Sequence, residues 1–428
     1  MKKFLFAFLA LAMTTPALFA QDKPVKLVNH FTPYGFFRTL AIFDSRENRA
    51  GSEDLFYYLP LDKAVSATSG KDLNANPSLK MYAITTRMGF NMSGYQFGST
   101  KVSGKIEADF YLMNGSTASL RMRQAYVSLL WDGLGYADNS ITLKVGQAWN
   151  PMAADMPYCV NIESGSPFNP FARSPQVMMD AFLGKHFILT GGMLYPMQYR
   201  PTGPEGASED YIKYGMIPEL YAGVTYRTGD FLARLGADFL SIKPRWKRVS
   251  DRISFVNPML FLQYSNSSFK INAKTVFASG GDHLRLMSGY AVYDRSDAEN
   301  YKYTPLRSTV SFISFSTGTR WQLMCTAGYM KALGAAHDLP LASAGDYAGY
   351  VDPAGIYYFA NGFKNIDSMI RLTPTLACNA GKLMVALEYD WTYVEYGDPA
   401  KLGADALSTV KPHGILNHRV LGVLKFSF

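Results

Sequence analysis

The clearest pattern in this sequence is a strict two-residue alternation along residues 102–112. Apolar or small residues occupy every even position, and polar or charged residues and one tyrosine occupy every odd position. A period of two predicts a β-strand with one apolar and one polar face. Two similar segments follow at 120–126, which has Arg121 and Arg123 on one face, and at 141–149. Three consecutive strands of this kind are typical of a transmembrane barrel wall that separates lipid from a wet lumen.

The composition agrees with a barrel but does not by itself establish one. The chain has 428 residues, of which 48% are hydrophobic and 14% aromatic. Only 18% are charged, below the roughly 25% that is usual for soluble domains. Apart from the leader described next, no apolar run is long enough to cross a bilayer as a helix. Because a soluble all-β protein can share this composition, the argument depends on strand number and connection length.

Residues 1–20 are predicted to be a secretory signal peptide. Lys2 and Lys3 form its basic end, residues 4–13 its apolar core, and Ala20 the small residue before the cleavage point. Removing two lysines lowers the net charge from +8 to +6. Residues 21–428 then form one domain, predicted to be an outer-membrane β-barrel.

Alternation and turn residues together predict sixteen strands. The predicted strands are 30–43, 79–93, 102–112, 118–131, one ending at 149, 176–183, 186–195, 215–226, 231–242, one ending at 264, 269–277, 308–316, 320–330, 368–378, 383–394 and one ending at 428. A further short strand is expected near Tyr290. Mostly long connections alternate with short ones, as expected for a barrel with long extracellular loops and short periplasmic turns.

The last strand supports the same compartment. Every second residue from Val420 to Phe428 is apolar, aromatic or glycine, and the chain ends on an aromatic residue. Such an ending resembles the assembly signal of outer-membrane proteins. With the signal peptide and sixteen strands, it places the protein in the outer membrane of a Gram-negative bacterium, in contact with its lipids and lipopolysaccharide.

Several charged residues are predicted to line the lumen. In the hairpin around residues 113–118, facing residues should sum to about 230, which places Asp109 opposite Arg121 and Glu107 opposite Arg123. The preceding turn brings Arg87 beside one of these acids. The predicted inward charges on these strands are Arg87, Lys105, Glu107, Asp109, Arg121, Arg123 and Lys144. They form either a ladder of cross-strand ion pairs or a positive surface that attracts anions, and the two interpretations are compatible.

The segment 150–175 is the best candidate for a pore constriction. Five prolines stiffen it, and Asp155, Glu163 and Arg173 are its candidate lumen-facing charges. A sixteen-stranded barrel leaves an open aqueous channel unless something narrows it. The alternative is an ordinary surface loop.

Other classes of site find little support in the sequence. The three cysteines form no CxxC pair, and the six histidines have no metal-ligand spacing, so no metal site is predicted. No glycine-rich phosphate loop is present, and no cofactor is predicted. The basic residues are spread along strands, which argues against a nucleic-acid partner.

Three blocks in the first half of the chain resemble the DcaP-like porins, which are trimeric outer-membrane channels for dicarboxylates and other small anions. The blocks begin at Gly104 (GKIEADF), Leu120 (LRMRQAY) and Gly146 (GQAW). The resemblance extends from Arg87 to Pro151 and is weak elsewhere. It implies a sixteen-stranded homotrimer with basic residues at the constriction, among them the arginines at 87, 121 and 123. The coiled-coil segment that often precedes the barrel in this family is not expected here.

The sequence therefore predicts a porin for passive diffusion of small, anionic solutes, without enzymatic activity. One alternative is an outer-membrane barrel enzyme, but no histidine has an obvious serine or acid partner. Another is an adhesin whose long outer loops bind a partner. A gated transporter is a further alternative, but no plug-sized globular segment precedes the first strand.

Overall fold

The computed structural model describes residues 30–51, 56–113, 117–135, 138–161, 165–358 and 365–428. Sixteen antiparallel strands form a closed barrel, as predicted. The strands are β1 His30–Asp44, β2 Arg87–Phe97, β3 Thr100–Met113, β4 Thr117–Asp132, β5 Ser140–Trp149, β6 Arg173–Leu183, β7 Phe187–Leu194, β8 Glu219–Thr228, β9 Phe231–Ile242, β10 Ile253–Ser265, β11 Phe269–Ser279, β12 Lys302–Thr317, β13 Trp321–Ala335, β14 Ile366–Ala380, β15 Leu383–Tyr396 and β16 His413–Ser427. The predicted signal peptide lies outside the described residues.

The first and last strands close the barrel. β1 pairs with β16 from Phe36 opposite Ser427 to Asp44 opposite Arg419. Along its other edge, β1 pairs with β2. The backbone amide of Phe428 also donates to the carbonyl of Gly35. Closure gives each of the sixteen strands a hydrogen-bonded neighbour on both sides, as a membrane-spanning sheet requires.

The two ends of the barrel differ in the length of their connections. At one end, here called the turn end, short connections such as 184–186 and 229–230 join strand pairs. At the opposite end, the loop end, most connections are long, for example 150–172 and 336–365. Outer-membrane barrels have their short turns in the periplasm and their long loops outside the cell.

The two faces of the wall have opposite character. Ile106 and Leu120 are 51% and 63% exposed, although both are large and apolar. Glu107 and Asp109, on the other face of β3, are only 3% exposed. Apolar side chains that point outward and charged ones that point inward are the arrangement of a barrel in lipid. The protein is therefore an outer-membrane barrel of the Gram-negative type.

The structure corrects two predicted strands. The predicted strand 79–93 is interrupted, because Ser78–Tyr82 and β2 both pair with β1 but are separated by four residues. Only three residues of β1 lie opposite those four, so the extra residue breaks the ladder, as in a β-bulge. The predicted strand 215–226 begins instead at Glu219, after Met216 with a positive φ and Pro218, which has no amide hydrogen to donate.

Several shorter elements lie at the loop end. A strand at Gly289–Asp294, expected near Tyr290, extends the sheet beside β12. A hairpin of Asn48–Gly51 and Phe56–Pro60 precedes Ser78–Tyr82. The remaining elements within the described residues are the strands Thr202–Gly203, Gly206–Ala207 and Ile356–Tyr358, the helix Asp210–Lys213 and the 3-10 turns Asp282–Leu284 and Pro353–Gly355. No helix in the described part of the chain has the length and apolarity needed to cross a membrane.

Candidate pore constriction

The connection between β5 and β6, residues 150–172, folds into the barrel and is called the inner loop below. The ammonium of Lys274 on β11 donates to the carbonyls of Met152 and Asp155 at 2.8 and 2.9 Å. It donates a third hydrogen bond, of 2.9 Å, to Oδ1 of Asn169. Lys274 is only 2% exposed, so the loop and this wall form one packed unit. The prediction that this segment enters the lumen is therefore supported by its contacts.

Strands β12 to β15 hold the middle of the inner loop. Ser314 Oγ accepts a hydrogen bond from the backbone amide of Tyr158, and Glu388 Oε2 accepts one from that of Val160. The guanidinium of Arg371 donates to the carbonyl of Ser166. Because these strands face β5 and β6 across the barrel, the inner loop crosses the lumen.

A second segment also narrows the lumen, and the sequence did not indicate it. The strand Phe56–Pro60 is buried along its whole length. The ring of Tyr57 lies between the guanidinium groups of Arg371 and Arg419, at 4.2 and 4.1 Å from their Cζ atoms. The long connection between the predicted strands 30–43 and 79–93 thus contains an aromatic hairpin that packs inside the barrel.

On the wall formed by β2 to β6, four arginines meet two carboxylates. We call Arg87, Arg121, Arg123 and Arg173 the arginine cluster. Arg121 donates to Asp109 through Nε and Nη2 at 3.0 and 3.1 Å. Arg123 donates to Glu107 at 2.8 Å and to Asp109 at 2.6 Å. Nitrogens of Arg87 lie 3.9 Å from an oxygen of each acid, as the register predicted.

The predicted register of the β3–β4 hairpin is right at one pair and wrong at the next. Asp109 lies opposite Arg121, as expected, but Glu107 lies opposite Gln124 rather than Arg123. A bulge makes Arg123 the extra residue of β4. An extra residue bends the strand and re-aims its side chain, and here it gives Arg123 bonds to both carboxylates. Four guanidinium groups against two carboxylates leave a surplus of two positive charges.

Arg173, a candidate lumen-facing charge of the segment 150–175, differs from the other three arginines in its partners. It is the first residue of β6, is 2% exposed and stacks on Trp149, with its Cζ 4.7 Å from the ring centre. Its Nε donates to Oε1 of Gln198. Among the described residues, its Nη1 and Nη2 atoms have no hydrogen-bond partner. Two buried donors on one planar group are suited to a carboxylate, which can accept both.

A cavity of about 350 Å³ adjoins this cluster on the loop-end side. Arg121, Arg173 and Arg285 line it, together with the aromatic residues Phe56, Tyr58, Tyr111 and Tyr199 and five further residues, Gly51, Met122, Gln147, Met197 and Gln198. No lining residue in the described chain is an aspartate or a glutamate. We call this space the basic cavity.

A second cavity, of about 320 Å³, lies on the turn-end side of the cluster. Trp149, which stacks on Arg173, contributes to its lining, as do Lys144, Asp180 and Arg234. The stacked pair therefore borders both cavities, Arg173 on one side and Trp149 on the other.

The remaining predicted residues have different surroundings. Lys105 Nζ lies 4.0 Å from Glu107, at the edge of the arginine cluster. Lys144 lies over the ring of Tyr126 and away from the cluster. Asp155 is ion-paired with Arg234 of β9 and so holds the inner loop. Glu163 lies outside the described residues.

Sequence reasoning missed Lys274, Arg285 and Arg371. Lys274 and Arg371 occupy inward positions of alternating strands, so the period that identified Arg121 also applied to them. Their roles as anchors depend on loop contacts that alternation does not predict. Arg285 lies in a connection and has no periodic signal.

Comparison with known proteins supports the architecture. No model of a protein family matches the sequence, and no curated protein matches it significantly. Among solved structures, the outer membrane channel DcaP of Acinetobacter baumannii aligns with a TM-score of 0.60 and 17% identity, over 94% of this chain and 97% of that one. The chain has the porin fold. An anion-selective porin from Comamonas acidovorans aligns with a TM-score of 0.53 and 12% identity, over 94% of this chain and all of that one.

Proposed function

We propose that this chain is a DcaP-like porin, a water-filled channel through which small organic anions, dicarboxylates among them, cross the outer membrane by diffusion. The basic cavity carries the proposal. It offers three guanidinium groups and no described carboxylate, and two of the three, those of Arg121 and Arg173, belong to the cluster whose surplus is two positive charges. Low-dielectric walls focus such a field and raise the local concentration of counter-ions.

The geometry favours carboxylates over spherical anions. A planar guanidinium with two available N–H groups matches the two oxygens of a carboxylate. The aromatic residues of the same cavity offer apolar contacts to the carbon chain that joins the two carboxylates of a dicarboxylate solute. Asp109 and Glu107 keep Arg121 and Arg123 in place, so the field does not depend on flexible side chains. Of the two aligned structures, one is an outer membrane channel and the other an anion-selective porin, which accords with this proposal.

The test is the reversal potential of single channels in planar bilayers across a salt gradient. We expect the wild-type pore to prefer anions, more strongly at low salt, because screening acts over about 8 Å at physiological ionic strength. Arg121→Ala combined with Arg173→Ala should lower the anion-to-cation permeability ratio several-fold. Lys101→Ala is the matched control, because Lys101 lies near the turn end in an exposed pair with Asp132.

Wild-type cation preference, or a double variant with the wild-type ratio, contradicts the proposal. A dicarboxylate should also reduce the chloride current through the wild-type pore more than a monocarboxylate of similar length. That difference should disappear in the double variant.

We further propose a homotrimer embedded in outer-membrane lipids and lipopolysaccharide, with no cofactor and no catalysis, on the basis of the family resemblance. Unheated protein in mild detergent should migrate at about three times the mass of the heated monomer. A monomer at every detergent concentration contradicts this part of the proposal and leaves the selectivity test intact.

A further inference from the structure

Away from the arginine cluster, two carboxylates and one imidazole meet inside the barrel. Glu219 begins β8, Asp238 lies on β9, and His283 lies in the 3-10 turn between β11 and β12. All three side chains are at most 1% exposed. His283 Nε2 lies 3.5 Å from Oδ2 of Asp238 and 3.9 Å from Oε2 of Glu219.

The polar atoms of this group are poorly satisfied by their surroundings. Among the described residues, Glu219 Oε2, Asp238 Oδ1 and both ring nitrogens of His283 have no hydrogen-bond partner. Buried ionisable groups are costly unless they are paired or coordinate a metal. Three buried side chains therefore converge, each with a ligand atom within 4.8 Å of the others, and some of their acceptor atoms accept no hydrogen bond from the described residues, as in the donor set of a cation site.

The neighbouring amides orient the two carboxylates. Asn150 Nδ2 donates to Oε1 of Glu219 at 2.7 Å, and Asn257 Nδ2 donates at 3.2 Å to Oδ2 of Asp238, the oxygen that lies 3.5 Å from His283. Hydrogen bonds of this kind fix the direction of carboxylates that bind metals.

We propose that Glu219, Asp238 and His283 bind one divalent transition-metal ion of the zinc type. Imidazole nitrogen with carboxylate oxygens is a donor set that zinc accepts. A tetrahedral ion with bonds of about 2.1 Å holds its ligand atoms roughly 3.4 Å apart; here the two distances from His283 Nε2 are 3.5 and 3.9 Å, and all three ligand atoms lie within 4.8 Å of one another. Calcium is a poorer fit, because it takes six to eight oxygen ligands.

The ion would connect parts of the barrel that are distant in sequence. It would join β8 and β9 to the turn Asp282–Leu284. Asn150, which contacts Glu219, is also the first residue of the inner loop, and its Oδ1 accepts a hydrogen bond from the amide of Met152. The metal would therefore fix the point at which the inner loop leaves the wall. The competing arrangement is a protonated imidazole that pairs with both carboxylates.

The experiment uses the full-length protein in detergent, treated with chelator and then titrated with Zn²⁺. We expect one ion per chain by elemental analysis and a higher unfolding temperature in its presence. Asp238→Asn and Glu219→Gln keep side-chain volume and should lower affinity at least tenfold. Asn150→Ala should weaken binding by roughly tenfold, as removal of an orienting partner does.

His186→Gln is the matched control, because its ring contacts a carbonyl near the turn end and lies away from the cluster. Bound Co²⁺ should also show the visible absorption of an imidazole–carboxylate site, and this band should be lost in His283→Gln. Absence of stoichiometric Zn²⁺ in the wild type overturns the proposal. Folding of each variant is judged by its heat-modifiable migration. If the folded cluster variants bind Zn²⁺ as tightly as the control, the proposal is also overturned, and a protonated imidazole then explains the group of three side chains.

Discussion

The lumen wall carries arginines in two regions that use them differently. In the arginine cluster, Arg173 keeps two buried N–H groups without a described partner beside an open cavity. On the adjoining part of the wall, formed by β14, β16 and β1, Arg419 donates to both oxygens of Asp44 at 2.9 and 2.8 Å, and Arg371 and Arg419 both lie against the ring of Tyr57. We call Arg371, Arg419, Asp44 and Tyr57 the packed wall.

The difference shows that inward charge alone does not define a permeation surface. Both regions place arginine on the polar face of alternating strands, and both supply carboxylates nearby. In the packed wall, an inward hairpin covers the guanidinium groups and excludes solute. At the arginine cluster, the inward segments leave a cavity, and Arg121 in its lining has a side chain that is 20% exposed, so a guanidinium group remains available to an anion there.

The largest expected effect is on stability in the packed wall. Arg419→Ala leaves Asp44 buried without its bidentate partner, and breaking a buried pair in this way costs about 3–5 kcal/mol. Urea unfolding in detergent micelles should show this loss, while the reversal potential stays near the wild-type value. Arg227→Ala, an exposed arginine on β8, is the control. A cost for Arg419→Ala no greater than that of the control would show that the two regions do not differ as described.

A smaller effect is expected where the inner loop is anchored. Lys274→Met removes three hydrogen bonds to the loop and leaves their acceptors unpaired, at a cost of about 2 kcal/mol. We expect the loop to detach from β11 in part, which raises single-channel conductance and its noise. Lys270→Met is the matched control on the same strand, nearer the turn end. Unchanged conductance in Lys274→Met would mean that the loop keeps its position without this anchor.

The smallest effect concerns the connection that carries the aromatic hairpin. The hydrogen bond from Arg46 holds the pKa of Asp72 below its usual value, backbone amides of Ala64 and Asn74 lower it further, and burial opposes them. Because the folded pKa is depressed, this pair stabilises the fold above the unfolded pKa of about 4. The contribution is lost as pH falls through the folded pKa.

Asp72→Asn should therefore lower stability at neutral pH by about 0.5 kcal/mol, since partly exposed pairs contribute little, and it should flatten the loss of stability as the pH falls below about 4. Thermal unfolding measured across that range tests this expectation. Asp132→Asn, in an exposed pair at the turn end, is the control for nonspecific charge effects. A wild-type pH profile in Asp72→Asn would exclude a contribution from this pair.

Most of the barrel wall could be predicted from the sequence. Strand alternation depends on local geometry, since successive side chains point to opposite faces whatever their partners are. It therefore predicted sixteen strands, the outward position of Ile106 and the inward position of Glu107, Asp109 and Arg121. Predictions failed where one residue shifts a ladder, as at Arg123 and between Ser78–Tyr82 and β2, because a bulge has no compositional signal of its own.

The sequence by itself determined that this chain forms a membrane barrel with charge on its inner face. Only the tertiary structure decided which charges remain accessible. The inner loop and the hairpin at Tyr57 contact strands far from them in sequence, and these contacts enclose Lys274 and Arg371 but leave Arg121 partly exposed beside a cavity. The same holds for His283, which has no acidic partner within ligand spacing along the chain and meets Glu219 and Asp238 only because the turn that carries it folds against β8 and β9. Contacts of this kind depend on how segments distant in sequence pack together, and the two-residue period of a strand carries no information about that packing.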